Sequence, residues 1–204
     1  MLEVKKLVVG ELGTNCYLVT SRETPETLVI DPGDEAEFIE RQISALNLKP
    51  MAVILTHGHF DHLLASLELS LAYAIPVYLN SKDNFLVRAA GQTARHFTRA
   101  REALQPVKLF NTEGIANLRL GHKILKIMNL PGHTPGSIGL YAKRDGFIFS
   151  GDLIFSDGSR GETNHPYSDK KAIVASLEKI TNLPAKTIIY PGHGDSFKVV
   201  DINK

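Results

Sequence analysis

Met51-Ala52-Val53-Ile54-Leu55-Thr56-His57-Gly58-His59-Phe60-Asp61-His62 is an apolar run that breaks directly into three histidines and an aspartate. Its first five residues are all apolar, which suits a short strand buried on both faces. The polar residues then fall on the loop leaving the strand's C-terminal end and at the start of the next helix. Loops at strand ends are where α/β proteins place their chemistry. Imidazole and carboxylate together suit a borderline divalent ion, and a chain with one cysteine cannot build a thiolate-rich structural zinc site.

The same arrangement of strand, turn and polar residue recurs downstream. Residues 124–128 lead to Pro131-Gly132-His133-Thr134-Pro135-Gly136-Ser137, residues 147–149 to Ser150-Gly151-Asp152, and residues 187–190 to Pro191-Gly192-His193-Gly194. Each apolar run ends in a Gly or Pro turn that holds a His or an Asp, which is how donors distant in sequence are gathered at one edge of a sheet. One turn histidine would mean little, but four such loops make a shared metal centre the expectation.

The set His57, His59, Asp61, His62, His133, Asp152 and His193 resembles the full metal-ligand signature of the metallo-β-lactamase superfamily, in its hydrolase branch related to glyoxalase II. Agreement extends to Thr14-Asn15-Cys16-Tyr17-Leu18-Val19, to Ile30-Asp31-Pro32-Gly33-Asp34 and to the His133 loop, and so runs along essentially the whole chain. The resemblance implies an α/β fold, a four-layer αβ/βα sandwich of two mixed sheets with external helices and a metal cleft at one edge. It also implies that His57, His59 and His133 hold one divalent ion, that Asp61, His62 and His193 hold a second, and that Asp152 bridges them. Zinc is the first expectation for both ions, with iron or manganese as alternatives. Asp61 and Asp152 become the carboxylates on which catalysis turns. Two cations sharing a water would bring its pKa down to about 7, giving a hydroxide that attacks a thioester or ester carbonyl. Asp31, at a strand end, would accept an imidazole N–H and orient a ligand; an Asp capping a turn is an equal alternative.

Composition fits this reading without adding to it. A chain of 204 residues, 43% hydrophobic and 22% charged, can bury a core as one domain spanning 1–204, and no repeat or linker marks a boundary. Twenty-three basic against 22 acidic residues leave a net charge of +1, so no global field favours nucleic acid or a membrane. Residues 1–6 lack the order of a signal peptide and no apolar run approaches a membrane span, so the expected location is the cytoplasm. The lone Cys16 reads as a buried strand residue. Strands are expected near 3–9, 15–20, 27–31 and 77–79, with helices over 35–46 (stripe Phe38, Ile39, Ile43, Leu46) and 63–74 (buried side Leu63, Leu64, Leu67, Leu71).

Three features bear on the substrate, expected to be a small (thio)ester, with an anionic one as an alternative. Residues 82–108 carry Lys82, Arg88, Arg95, His96, Arg99, Arg101 and Lys108 against only Asp83 and Glu102, either a solvated helix face or a rim that steers an anion. After Asp152, the polar residues Asn164, His165 and Tyr167 are candidates to line the cleft, whereas His96 and His122 match no ligand position. The chain reads Gly161-Glu162-Thr163-Asn164 where many glyoxalase II-like proteins have Gly-Arg-Thr-Asp, and Leu63-Leu64 follows the ligand loop where x-Gly is usual. Eleven residues follow His193, too few for the helical domain that supplies the glutathione pocket in full-length relatives. Alternatives on the same fold are a persulfide dioxygenase with one iron on His57, His133 and Asp152, a phosphodiesterase or nuclease, and a metal-binding protein without enzymatic activity.

Overall fold

Along β2 (Thr14–Ser21) nearly every side chain is buried, and the two faces enter different cores. Tyr17 and Val19 join one apolar cluster, Cys16 and Leu18 another. The same division holds for β3 (Glu26–Ile30) and β4 (Lys49–Ile54), where Leu28, Ile30, Ala52 and Ile54 face the first cluster and Val29 and Val53 the second, joined by Leu55 just past β4. Strands covered on both sides have no polar face to display, which explains the unbroken apolar runs.

In the computed structural model, which describes residues 1–98 and 107–202, these strands belong to one of two six-stranded sheets. The first has the order β1 (Leu2–Val9), β2, β3, β4, β5 (Val77–Leu79), β6 (Leu109–Asn111), antiparallel as far as β3 and parallel beyond it. The second is built from β7 (Asn117–Leu120), β8 (Lys123–Asn129), β9 (Ile138–Ala142), β10 (Phe147–Gly151), β11 (Ile188–Pro191) and β12 (Phe197–Lys198), with only β10 and β11 parallel. The sheets pack face to face through Tyr17, Ile30, Ile54, Leu125, Leu140 and Phe149. Helices α1 (Ala36–Ala45), α2 (Ser66–Tyr73) and α3 (Asn84–Phe97) cover the outside of the first sheet, and α4 (Lys170–Thr181) packs on the second. The expected α/β architecture of two mixed sheets with outer helices is the one observed.

Two helix stripes differ from expectation. A 3₁₀ turn at Phe60–His62 takes up the chain after the histidines, so α2 begins at Ser66 rather than 63, and its fully buried leucine is Leu69. Leu71 is 73% exposed and Leu67 half-buried. Leucines at 67, 69 and 71 cannot all share a face of a 3.6-residue helix, so periodicity could not choose between them. In α1, Asn47 turns left-handed (φ 51°) just past the helix end, which leaves Leu46 exposed and brings Leu48 onto the core in its place. Of the basic run, Arg99, Arg101 and Glu102 lie outside the described residues. Cys16 is fully buried and unpaired, as expected. No helix among the described residues is long and apolar enough to cross a membrane.

Candidate metal centre

The four polar loops meet at one edge of the sandwich because each leaves the C-terminal end of its strand or lies beside one that does. The loop after β4 brings His57, His59, Asp61 and His62, and the loop between β8 and β9 brings His133. Asp152 follows β10, and His193 follows the parallel neighbour β11. Three groups of donor atoms result, each lying within 4.8 Å of one another: His57, His59 and His133; Asp61, His62 and His193; and His57, His62 and Asp152. Asp152 stands between the first two groups, with Oδ1 3.5 Å from His62 Nε2 and Oδ2 3.8 Å from His133 Nε2 and 3.6 Å from His193 Nε2. All seven residues singled out in the sequence are therefore brought together.

Whether the residues suit a cation is decided by where the ring protons must be. His133 Nδ1 lies 2.9 Å from the Glu162 carbonyl and His193 Nδ1 3.2 Å from the Leu12 carbonyl, both pure acceptors, so each ring carries its proton on Nδ1. His62 Nδ1 faces Asp31 Oδ2 at 3.1 Å, with the same result. Thr56 Oγ1 donates to Asp31 Oδ2 at 2.6 Å and so accepts from His57 Nδ1 at 3.1 Å. His59 is turned the other way: its Nε2 meets the Tyr167 hydroxyl at 2.9 Å. The inward nitrogens of His57 and His133 are then lone pairs, and those of His62 and His193 become so once the extra proton that the carboxylates favour on each ring is displaced. His59 Nδ1 sits 3.1 Å from His57 Nε2 and 2.9 Å from His133 Nε2, so three ring nitrogens converge with at most one proton among them. Buried His62 Nε2 and Asp152 Oδ1 have no hydrogen-bond partner at all among the described residues. A set of converging lone pairs and carboxylates fits divalent metal.

The field of the cluster is uneven. Burial, with the neighbouring histidines, holds His57 well below the ordinary histidine range and pushes His59 down to about 3, so both stay neutral. Burial disfavours charge on His62 as well, but Asp152, Asp61 and Asp31 outweigh it and hold the ring well above that range. Asp61 and Asp152 remain ionised because His62 and its neighbours overcome the cost of burying them. Without metal, one proton on His62 thus partly balances three carboxylates.

Asp31 occupies the place expected for an orienting carboxylate. Its Oδ1 accepts the Thr56 N–H at 2.7 Å, and its Oδ2 serves both Thr56 and His62. Tyr167 reaches the cluster through His59, and His165 stacks on Tyr167 with centroids 5.0 Å apart. Asn164 is exposed on the same loop and forms no hydrogen bond with the cluster. His96 and His122 are exposed and lie outside it. At Gly192 the backbone must pass close to the cluster: a Cβ there would collide with Asp152 Oδ1 and crowd the His62 ring.

One residue was misread from sequence. Asp83, counted in a run read as either a solvated helix face or a rim that steers an anion, is fully buried at the start of α3. It accepts hydrogen bonds from Gly58 N at 2.9 Å, Gly136 N at 2.7 Å and Thr134 Oγ1 at 2.7 Å, tying the His57–His59 loop to the His133 loop. The signal available in sequence was a lone acid opening an otherwise basic helix, but only its three donors, from two distant loops, give it a role. Asp83→Ala is expected to lower metal affinity by roughly 10–100-fold, the cost of losing an outer partner that positions ligands; competition with a chromophoric chelator checks this, with Asp83→Asn retaining more affinity because it keeps an acceptor.

A sequence profile described as the Metallo-beta-lactamase superfamily matches residues 9–193, which include all seven clustered residues. The chain belongs to the metallo-β-lactamase superfamily. Among superfamily proteins, it is 34% identical over 196 residues to hydroxyacylglutathione hydrolase GloC of Haemophilus influenzae, covering 95% of this chain and 91% of that one. It is 32% identical over 197 residues to the probable metallo-hydrolase YqgX of Bacillus subtilis, covering 96% and 92%. Among solved structures it is similar to TTHA1623 in a di-iron-bound form, with a TM-score of 0.88 and 35% identity over 98% of both chains. The metallo-β-lactamase superfamily consists in general of metal-dependent hydrolases, and the donor set here is fit for that chemistry.

Proposed function

We propose that this protein hydrolyses hydroxyacylglutathione-type thioesters, or closely related esters, with a pair of divalent ions, zinc first and iron or manganese as alternatives. One observation carries the reading: seven donors on four loops aim at one space, and the outward nitrogen of every ring is already engaged. GloC, similar along almost the whole chain, is named for that activity. Asp61, His62 and His193 form a second donor group beyond the His57, His133 and Asp152 that a one-iron persulfide dioxygenase would need, which favours the two-ion reading.

Ions held here would acidify a water and polarise the acyl oxygen of the substrate. The chain's own residues do the positioning. Asp31 holds His62 directly and His57 through Thr56, so both rings keep their inner lone pairs free. Tyr167 steadies His59, and with His165 and Phe85, 5.3 Å away, it makes an aromatic wall beside the cluster against which an acyl or thiol moiety can lie.

The test is metal content of the purified protein together with turnover of S-lactoylglutathione. Two ions per chain with thioester cleavage is the expected result; one iron per chain, no cleavage and oxygen uptake with glutathione persulfide would overturn it. A second measurement follows from the proton balance. His62 and His193 are both held above the ordinary histidine value by carboxylates, against the opposing effect of burial, so metal must displace their protons. Loading the metal-free protein near pH 7 is expected to release roughly one to two protons per chain. Metal affinity should therefore rise with pH until those rings are deprotonated. Calorimetry in buffers of different ionisation enthalpy reads this directly, and pH-independent loading would contradict it.

A further inference from the structure

The first sheet is covered by three helices, but on the second only α4 is present among the described residues, and it leaves part of the outer face open. On that face, pairing of Lys126 with Tyr141 places Ile124, Lys126 and Met128 of β8 beside Tyr141 of β9 and Lys143, which follows it. A groove of about 620 Å³ runs between this strip and residues 182–184 after α4, a volume in the range of small-molecule sites.

The groove has two kinds of surface. Its floor is apolar: Ile124 is 49% exposed, Met128 is half-buried and Leu183 closes one side. Its rim carries Lys123, Lys126, Lys143 and Arg144. The one acid in the lining, Asp145, accepts the Leu2 backbone N–H at 2.7 Å. Lys126, Lys143 and Arg144 form no ion pair with any described carboxylate. Since the chain as a whole is only +1, this is a local concentration of cations around a hydrophobic floor. A neutral ligand would leave the cations unused, and a bare inorganic anion would leave the floor unused.

We propose that this groove is a second binding site, for an amphipathic organic anion: a carboxylate, sulfonate or phosphate head held by the Lys126, Lys143 and Arg144 rim, with an aliphatic or aryl body on Ile124 and Met128. It is separate from the metal centre. The Lys143–Gly146 turn enters β10 and Asp152 leaves it, so the two sites sit at opposite ends of a five-residue strand, roughly 16 Å apart. The inference does not depend on the thioesterase reading.

The probe is 8-anilinonaphthalene-1-sulfonate, titrated by fluorescence into the metal-loaded protein. One saturable site is expected, displaced by dodecyl phosphate below its micellar concentration but not by inorganic phosphate or dodecanol. The triple variant K126A/K143A/R144A should weaken binding at least tenfold, and Ile124→Gln several-fold, while metal content stays unchanged; all four positions are on the surface, so folding should survive and circular dichroism will report it. Displacement by inorganic phosphate alone would reduce the groove to an anion site and overturn the amphipathic assignment. Unchanged affinity in the triple variant, or loss of binding on metal removal, would place the probe elsewhere and overturn the proposal entirely.

Discussion

Asp152→Ala is expected to abolish turnover, with a loss of at least ~10²–10³-fold, the range seen when a single charge-stabilising group is removed from an active site. Among the described residues, Asp152 is the one whose carboxylate approaches rings of both donor groups, with His62 on one oxygen and His133 and His193 on the other. Losing it removes a negative charge from between two donor groups and leaves His62 Nε2 facing Asp61 alone. Metal stoichiometry should fall by about one ion per chain if each donor group holds one. The fold should persist, because Asp152 lies just beyond β10 and contributes nothing to the pairing of that strand with β9 and β11. Asp152→Asn keeps the shape and one acceptor but not the charge, so it should retain part of the metal and little activity. Elemental analysis and a thioester assay on the same preparations decide the matter, and near-normal turnover with full metal would reject the assignment.

The second large effect is expected at Asp31, where fold and site depend on the same two oxygens. Asp31→Ala strands the Thr56 N–H, the Thr56 hydroxyl and the His62 ring N–H in a buried space. Breaking a buried charged pair by removing one partner costs about 3–5 kcal/mol, a figure that already contains the cost of the donors left unsatisfied, so roughly 3–5 kcal/mol is expected. That is a large share of the ~5–15 kcal/mol by which a domain is stable. The backbone adds a smaller term: Asp31 is left-handed (φ 48°), a conformation Asp tolerates better than Ala. Denaturant titration of the metal-free protein should show it.

Asp31→Asn separates the two roles. The amide oxygen can still accept the Thr56 N–H, but its NH₂ then faces His62 Nδ1 and must be accepted by it. His62 would be forced into the tautomer with its proton on Nε2, the nitrogen aimed at Asp61 and Asp152. The variant should therefore be folded with a smaller stability loss, yet bind metal roughly 10–100-fold more weakly. A fold as stable as the parent with unchanged metal affinity would show that the tautomer is set by something else.

Much of the site was legible before any coordinates because its donors are chemically unmistakable and closely spaced. His57, His59, Asp61 and His62 share one loop, and the His133, Asp152 and His193 loops repeat its pattern of apolar strand, turn and polar residue. Strands such as β2 and β4 were legible for a related reason: burial on both faces leaves a continuous apolar run. Helix α2 was not, since leucines on every second position satisfy several helical phases equally. Asp83 was misjudged because charge counting along a helix says nothing about which end of it is buried.

Sequence by itself determined which side chains could hold metal, which segments had to be strands, and that the chain had one buried cysteine and no net charge to speak of. Those are properties of residue type and short-range order. Only the tertiary structure decided which nitrogen of each imidazole faces inward, that Asp31 serves Thr56 and His62 at once, that Asp83 joins two ligand loops, and that four rim cations surround an open apolar floor far from the metal centre. Each of these depends on contacts between residues that lie as many as 181 positions apart, or on which face of a sheet a helix leaves uncovered, and such geometry is set by packing rather than by any local pattern.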